Sequence, residues 1–159
     1  MPRRQGVKPK KVQPDPIYNN KMVTKLINRS MKDGKKSVAQ KQVYNAFEII
    51  KEKTKEDPMK VYDKALVNIK PVMEVRPRRV GGAAYQIPVP VSGDRKDTLA
   101  IRWLVLGART RSNSEYHTYA DKLSAEIIDA SNREGVAYKK KTDVERMAEA
   151  NRAFAHFRW

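Results

Sequence analysis

The sequence predicts a mainly α-helical domain of six helices that carries a protruding two-stranded β-ribbon and an extended basic N-terminal arm. Three observations lead there. Apolar residues recur at helical spacing in five separate segments, and capping spacing marks the start of a sixth helix. Residues 74–91, EVRPRRVGGAAYQIPVPV, alternate instead, on either side of a Gly-Gly pair. Residues 1–18 contain four prolines, five Lys or Arg and only one acid, Asp15.

The arm, 1–18, comes first. Pro14-Asp15-Pro16 forbids helix locally. Its one-signed charge fits an arm that orders against a phosphate backbone. A single helical domain is expected over 19–153, with the ribbon inserted at about 72–91 and a tail at 154–159. Met22, Val23, Leu26, Ile27 and Met31 give the first helix, 20–32, one apolar face, and Asp33-Gly34 ends it. Val38, Val43, Ala46, Phe47 and Ile50 form the stripe of the second, 35–55. Asp57 as N-cap and Pro58 at the first helical position start the third, and Pro71 follows its end.

In the ribbon, Met73 and Val75 point one way, and Glu74, Arg76 and Arg78 the other. Gly81-Gly82 supplies the positive φ that a two-residue hairpin turn demands. On the return arm Tyr85, Ile87, Val89 and Val91 alternate with Gln86, Pro88 and Pro90. Proline donates no ladder hydrogen bond, so this arm is an edge. Tyr85 is expected to pack rather than to stack on a base.

The fourth helix, 97–110, is apolar almost all round, through Leu99, Ile101, Trp103, Leu104, Val105, Leu106 and Ala108, which marks it as central. Ser112 and Glu115 have capping-box spacing and predict a fifth helix over 112–132. Gly135 leads into a Lys139-Lys140-Lys141 loop. Thr142 and Glu145, at the same capping spacing, predict the start of the sixth helix.

Charge narrows the function. The 159 residues include 34 Lys and Arg against 18 Asp and Glu, a net charge of +16. That excess calls for a polyanionic partner, nucleic acid before anionic membrane. There is no cysteine, which excludes disulfides, zinc ribbons and thiol catalysis. No apolar run reaches the ~18 residues of a membrane span. No catalytic or metal constellation stands out, and neither His117 nor His156 has a neighbour at ligand spacing. Gly34-Lys35-Lys36-Ser37 has the end of a phosphate-binding loop, but Arg29 stands where that loop needs glycine. No enzyme, cofactor or metal is expected.

The basic residues instead fall on non-core positions: the arm, the 34–36 turn, the ribbon, Arg95-Lys96, Arg109 with Arg111, and 139–141. Arginine suits bidentate phosphate contacts and stacking on unpaired bases. Several basic protrusions on a helical body fit a folded RNA better than duplex DNA. The alternative, an architectural DNA binder, calls for an apolar wedge at the ribbon tip, which here is Val80-Gly81-Gly82-Ala83.

MPRR, PDP, DGKKSVA, VRPRRVGGAAYQIPVPV, LAIRWLV and RMAEANRAFAHFRW occur in this order. Through these motifs the whole chain resembles the family of bacterial small-subunit ribosomal protein seven. The resemblance implies a primary binder of the 3′ major domain of 16S ribosomal RNA. Such a protein nucleates assembly of the subunit head and lies at the interface near the decoding region. Its ribbon lies close to the exit-site tRNA and messenger RNA. The expected protein neighbours are small-subunit proteins nine and eleven, with no membrane and no homo-oligomer, in the cytoplasmic ribosome. Carried over by motif, the RNA-binding residues are Arg3, Arg4, Lys8, Lys10, Lys11, Lys35, Lys36, Arg76, Arg78, Arg79, Arg95, Lys139, Lys140 and Lys141. Arg78, Arg79, Val80, Gly81 and Gly82 are the tRNA- or message-proximal set. Two departures from the family pattern are a longer stretch at 112–118 and Pro77 in the ribbon.

Overall fold

A computed structural model describes residues 12–157 of the chain. Six α-helices and a two-stranded antiparallel sheet follow in order: α1 Lys21–Ser30, α2 Lys36–Thr54, α3 Pro58–Ile69, β1 Met73–Val80, β2 Ala83–Pro90, α4 Gly93–Thr110, α5 Tyr119–Ser131 and α6 Gly135–Ala150. A 3-10 helix, Arg152–Phe157, closes the described chain. The mainly helical fold with its ribbon is as the sequence predicts.

One core holds the helices together. Val23, Leu26, Phe47, Ile50, Tyr62, Ile69, Leu104, Leu123 and Ile127 are its fully buried centre. Most come from the apolar stripes read in the sequence. Val38 and Leu106 do not: they are 56% and 43% exposed. Val38 lies in the first turn of α2, ahead of the packed stretch that begins at Ala39.

The start of α1 is anchored by Asp15. Its carboxylate accepts the N–H groups of Ile17 and Tyr18 and the Tyr44 hydroxyl on α2, the last at 2.8 Å. The Pro-Asp-Pro step is therefore folded onto the body rather than extended. Tyr18 lies edge-on to Phe47, with ring centroids 5.1 Å apart. At α3, Asp57 caps as expected, accepting the Met59 N–H at 3.0 Å.

Three helix starts differ from the sequence expectation. The polar stretch Gly93-Asp94-Arg95-Lys96 is already helical, so α4 begins four residues before 97. This first turn faces solvent and carries no apolar period to betray it. The α5 cap is Thr118 with Asp121, a reciprocal capping box, and not Ser112 with Glu115. Both pairs have the same spacing; the Ser112 hydroxyl is taken by the Ser114 N–H and hydroxyl instead. Finally, α6 begins at Gly135, so Lys139, Lys140 and Lys141 are helical and not a loop. The Thr142 hydroxyl bonds back to the carbonyls of Tyr138 and Lys139, both at 2.9 Å, and Glu145 accepts the Val72 N–H.

The reason α6 starts early is a buried carboxylate. Glu126 on α5 is fully buried. One oxygen accepts the Ala137 N–H at 2.8 Å, in the otherwise uncapped first turn of α6. The other accepts from the Arg111 guanidinium at 2.7 Å. Arg111 also pairs with Asp129, and it stacks over the Tyr116 ring at 5.3 Å. Its neighbours therefore hold the guanidinium charged: burial lowers its proton affinity, but its hydrogen bonds to Asp129 and Glu126 outweigh that and raise it. Gly107 on α4 makes room, since a Cβ there would lie 2.5 Å from the carboxylate. Removing one member of such a buried pair leaves an uncompensated charge and costs about 3–5 kcal/mol. Arg111→Ala is expected to lower the unfolding free energy from urea titration by that amount at pH 7, and Gly107→Ala to lower it through displacement of Glu126; an unchanged unfolding free energy in both would contradict this account.

Candidate nucleic-acid interface

The ribbon stands on a charged base. β1 and β2 pair in the register Met73↔Pro90 through Val80↔Ala83, leaving Gly81 and Gly82 as the turn at φ of +58° and +91°. Both are conformations that glycine adopts without penalty. Glu74, expected on the outward face, is buried. It accepts from Arg76 Nε at 2.6 Å and from Arg95 Nε at 3.1 Å, tying the ribbon root to the first turn of α4. Burial alone would push Glu74 upward; the two guanidiniums more than offset this and hold its carboxyl below the usual 4.5.

Arg76 and Arg95 consequently have a structural partner, yet both stay about half exposed, at 57% and 46%. Each guanidinium has five N–H groups, so orientation by Glu74 leaves donors for an outside anion. Farther out, Arg78 donates to the Phe157 carbonyl at 3.2 Å, and Arg79 is exposed. Tyr85, opposite Arg78, packs as expected, though its partners are Phe154 and Phe157 in the 3-10 helix, at 5.3 and 5.4 Å. The tail residues 154–157 thus support the ribbon rather than hang free.

The remaining predicted residues fall elsewhere. Lys35 and Lys36 are exposed at the tight turn into α2, where Asp33 and Gly34 have φ of +52° and +72°. Lys139 and Lys140 are exposed on α6, while Lys141 sits 5.5 Å over the Tyr138 ring and 3.9 Å from Glu145. Arg3, Arg4, Lys8, Lys10 and Lys11 lie outside the described residues. Arg111, grouped in sequence with the surface cations, is committed to Glu126 and Asp129. Sequence reasoning missed Lys25 and Arg29, which border a hollow between α1 and α4 with Asn28, Thr98 and Ile101. Their position on α1 opposite its apolar face was the available signal. No cluster of His, Cys, Asp and Glu among the described residues could hold a metal ion, and no helix among them is long and apolar enough to cross a membrane.

The model of the ribosomal protein S7p/S5e family matches residues 2–152. The chain belongs to the ribosomal protein S7p/S5e family. Relatives in this family include the small ribosomal subunit protein uS7 of Caldicellulosiruptor saccharolyticus, 60% identical over the whole of both chains. Those of Acetivibrio thermocellus, 59% identical over the whole of both, and Thermosipho africanus, 56% identical over 99% of both, are similar. The first two match end to end over 159 residues, with no net difference in length. The stretch at 112–118 forms the Tyr116-bearing loop beside Arg111 that leads to the α5 cap.

The heightened acidity of Glu74 has a direction in pH. A carboxyl whose folded value lies below its unfolded one stabilises fully above the unfolded value, and the gain is lost as pH falls through the folded one. Thermal melting of the parent chain and of Glu74→Gln should therefore differ most at pH 6–7 and converge as pH falls below about 4.5; a difference constant to pH 3 would contradict the two-arginine arrangement.

Proposed function

We propose that the chain binds the 3′ major domain of 16S ribosomal RNA as a primary binder and nucleates assembly of the subunit head. As a member of its family it is a structural constituent of the small ribosomal subunit, acting in translation and not as an enzyme, with ribosomal RNA and ribosomal proteins as partners. The finer reading is carried by one observation: exposed cations stand on rigid supports around a single core. Arg76 and Arg95 are oriented by Glu74, and Arg79 projects near the ribbon tip. Lys35 and Lys36 flank a fixed turn, and Lys139 and Lys140 share a helix.

In this reading the ribbon, with Arg78, Arg79, Val80, Gly81 and Gly82, lies beside the exit-site tRNA and messenger RNA. The basic arm follows the RNA backbone through Arg3, Arg4, Lys8, Lys10 and Lys11. Small-subunit proteins nine and eleven are its protein neighbours. A +16 chain bound to a shape-defined RNA draws much of its affinity from counterion release, which loses strength with salt.

Each phosphate contact contributes roughly −0.7 to −0.9 to the slope of log affinity against log salt. Filter binding of the chain to the isolated 3′ major domain should give a steep slope, and deleting residues 1–11 should make it shallower while helical circular dichroism is retained. A near-zero slope, or equal binding to unrelated RNA, would contradict the proposal. Arg78→Glu with Arg79→Glu should weaken RNA binding at least tenfold while shifting stability by about 0.5 kcal/mol or less, as exposed substitutions do. Collapse of thermal stability with RNA affinity intact would reverse the assignment.

A further inference from the structure

Where α1 ends and α2 begins, the surface is hollowed to about 250 Å³. Lys32, Lys35 and Arg109 rim it, Val38 and Ala39 give it an apolar wall, and Gln42 and Tyr119 lie deeper. Its construction is unlike the rest of the basic surface. Val38 is 56% exposed although it stands at a helix start in an otherwise charged stretch. None of the three cations has an acidic partner among the described residues. Arg109 spends one donor on the Ser30 carbonyl, at 3.2 Å. Ser30 and Tyr119 satisfy each other, hydroxyl to hydroxyl, at 2.9 Å. The Gln42 carbonyl oxygen accepts the Ala120 N–H at 3.2 Å, which fixes the side chain and leaves its amide nitrogen without a hydrogen bond among the described residues.

From this we infer that the hollow receives one unpaired nucleotide of the ribosomal RNA, its base against Val38 and its phosphate among Lys32, Lys35 and Arg109. The inference rests on the RNA-binding reading above and adds a base-accepting site to it. A nucleotide matches every feature at once. Its base has an apolar face for Val38 and an edge that can accept from the Gln42 amide. Its phosphate supplies the anion that the three cations lack among the described residues. A base within a duplex offers neither face nor pairing edge, so the occupant is unpaired. An acidic peptide would satisfy the cations but leave the fixed amide and the apolar wall without a matching partner.

The test compares the full-length parent chain with Val38→Glu and, as a control at a similarly exposed valine, Val67→Glu. Val67 is 68% exposed on α3, so neither change should disturb folding, which melting curves check. Each is bound to small-subunit ribosomal RNA, with affinity and base-specific chemical modification measured together. Val38→Glu should weaken binding on the order of tenfold, the effect of losing one apolar contact and gaining a repulsive charge. It should also restore modification at one unpaired base and leave the other protections in place. Val67→Glu should do neither. An unchanged modification pattern in Val38→Glu, or equal weakening by both variants, would overturn the site. So would cross-linking of a Val38→Cys chain to a protein instead of RNA in assembled subunits, a test made clean by the absence of other cysteines. Failure of the parent chain to bind ribosomal RNA would overturn the reading beneath it as well, and is distinguished from the other outcomes by needing no variant.

Discussion

The buried carboxylate of Glu126 is the constraint on which the rest of the packing depends. It reaches two helices from within a third: it is carried by α5, it caps α6, it binds the residue that ends α4, and it occupies the space Gly107 on α4 leaves open. An isolated charge at that depth would be prohibitively costly, so the fold must bring Arg111 to it. Arg111 follows α4 directly, which fixes where that helix stops and where the loop to α5 turns back. The loop then closes on itself, with Lys122 donating to the Arg111 carbonyl at 2.7 Å. One ion pair thereby sets the mutual placement of the C-terminal half of the body.

Glu74 repeats the device at smaller scale. A two-stranded ribbon is marginal in water by itself. Here its root carries a buried acid between two arginines, and its middle rests on the aromatic rings of the C-terminal 3-10 helix. Rigidity matters for binding because each loose arginine must surrender rotamer freedom when it meets an anion. Arg76 and Arg95 surrender part of it on folding. Glu74 thus aims two cations rather than only neutralising them.

Much of this was legible in the sequence, and the failures share one physical cause. Apolar periodicity located α1 to α5, and alternation located the ribbon, since burial of a stripe drives those elements. The Gly81-Gly82 turn and the Asp57-Pro58 start were readable because the chemistry is local. Ser112–Glu115 and Thr142–Glu145 misled because capping spacing is a necessary condition and not a sufficient one. Which serine or threonine caps is decided by tertiary partners such as Glu126 and Val72, distant in sequence. The same holds for the interface. Lys35 and Arg79 were identified as exposed cations from pattern alone, whereas the difference between Arg109, free to face a ligand, and Arg111, locked to Glu126, lies in contacts with residues 15 or more positions away. The hollow beside Val38 has no linear signature at all.

The contact between Tyr85 and the rings of Phe154 and Phe157 also orders events in time. The ribbon is encoded in the middle of the chain, but the aromatic residues that support it are synthesised more than sixty positions later. The helical core can therefore be complete while the ribbon still lacks its brace. A chain cut short near residue 151 would retain its packed helices and its Glu74 root yet hold its arginines on an unsupported hairpin. In this molecule residues 154–157 finish a structure whose ribbon is laid down long before them.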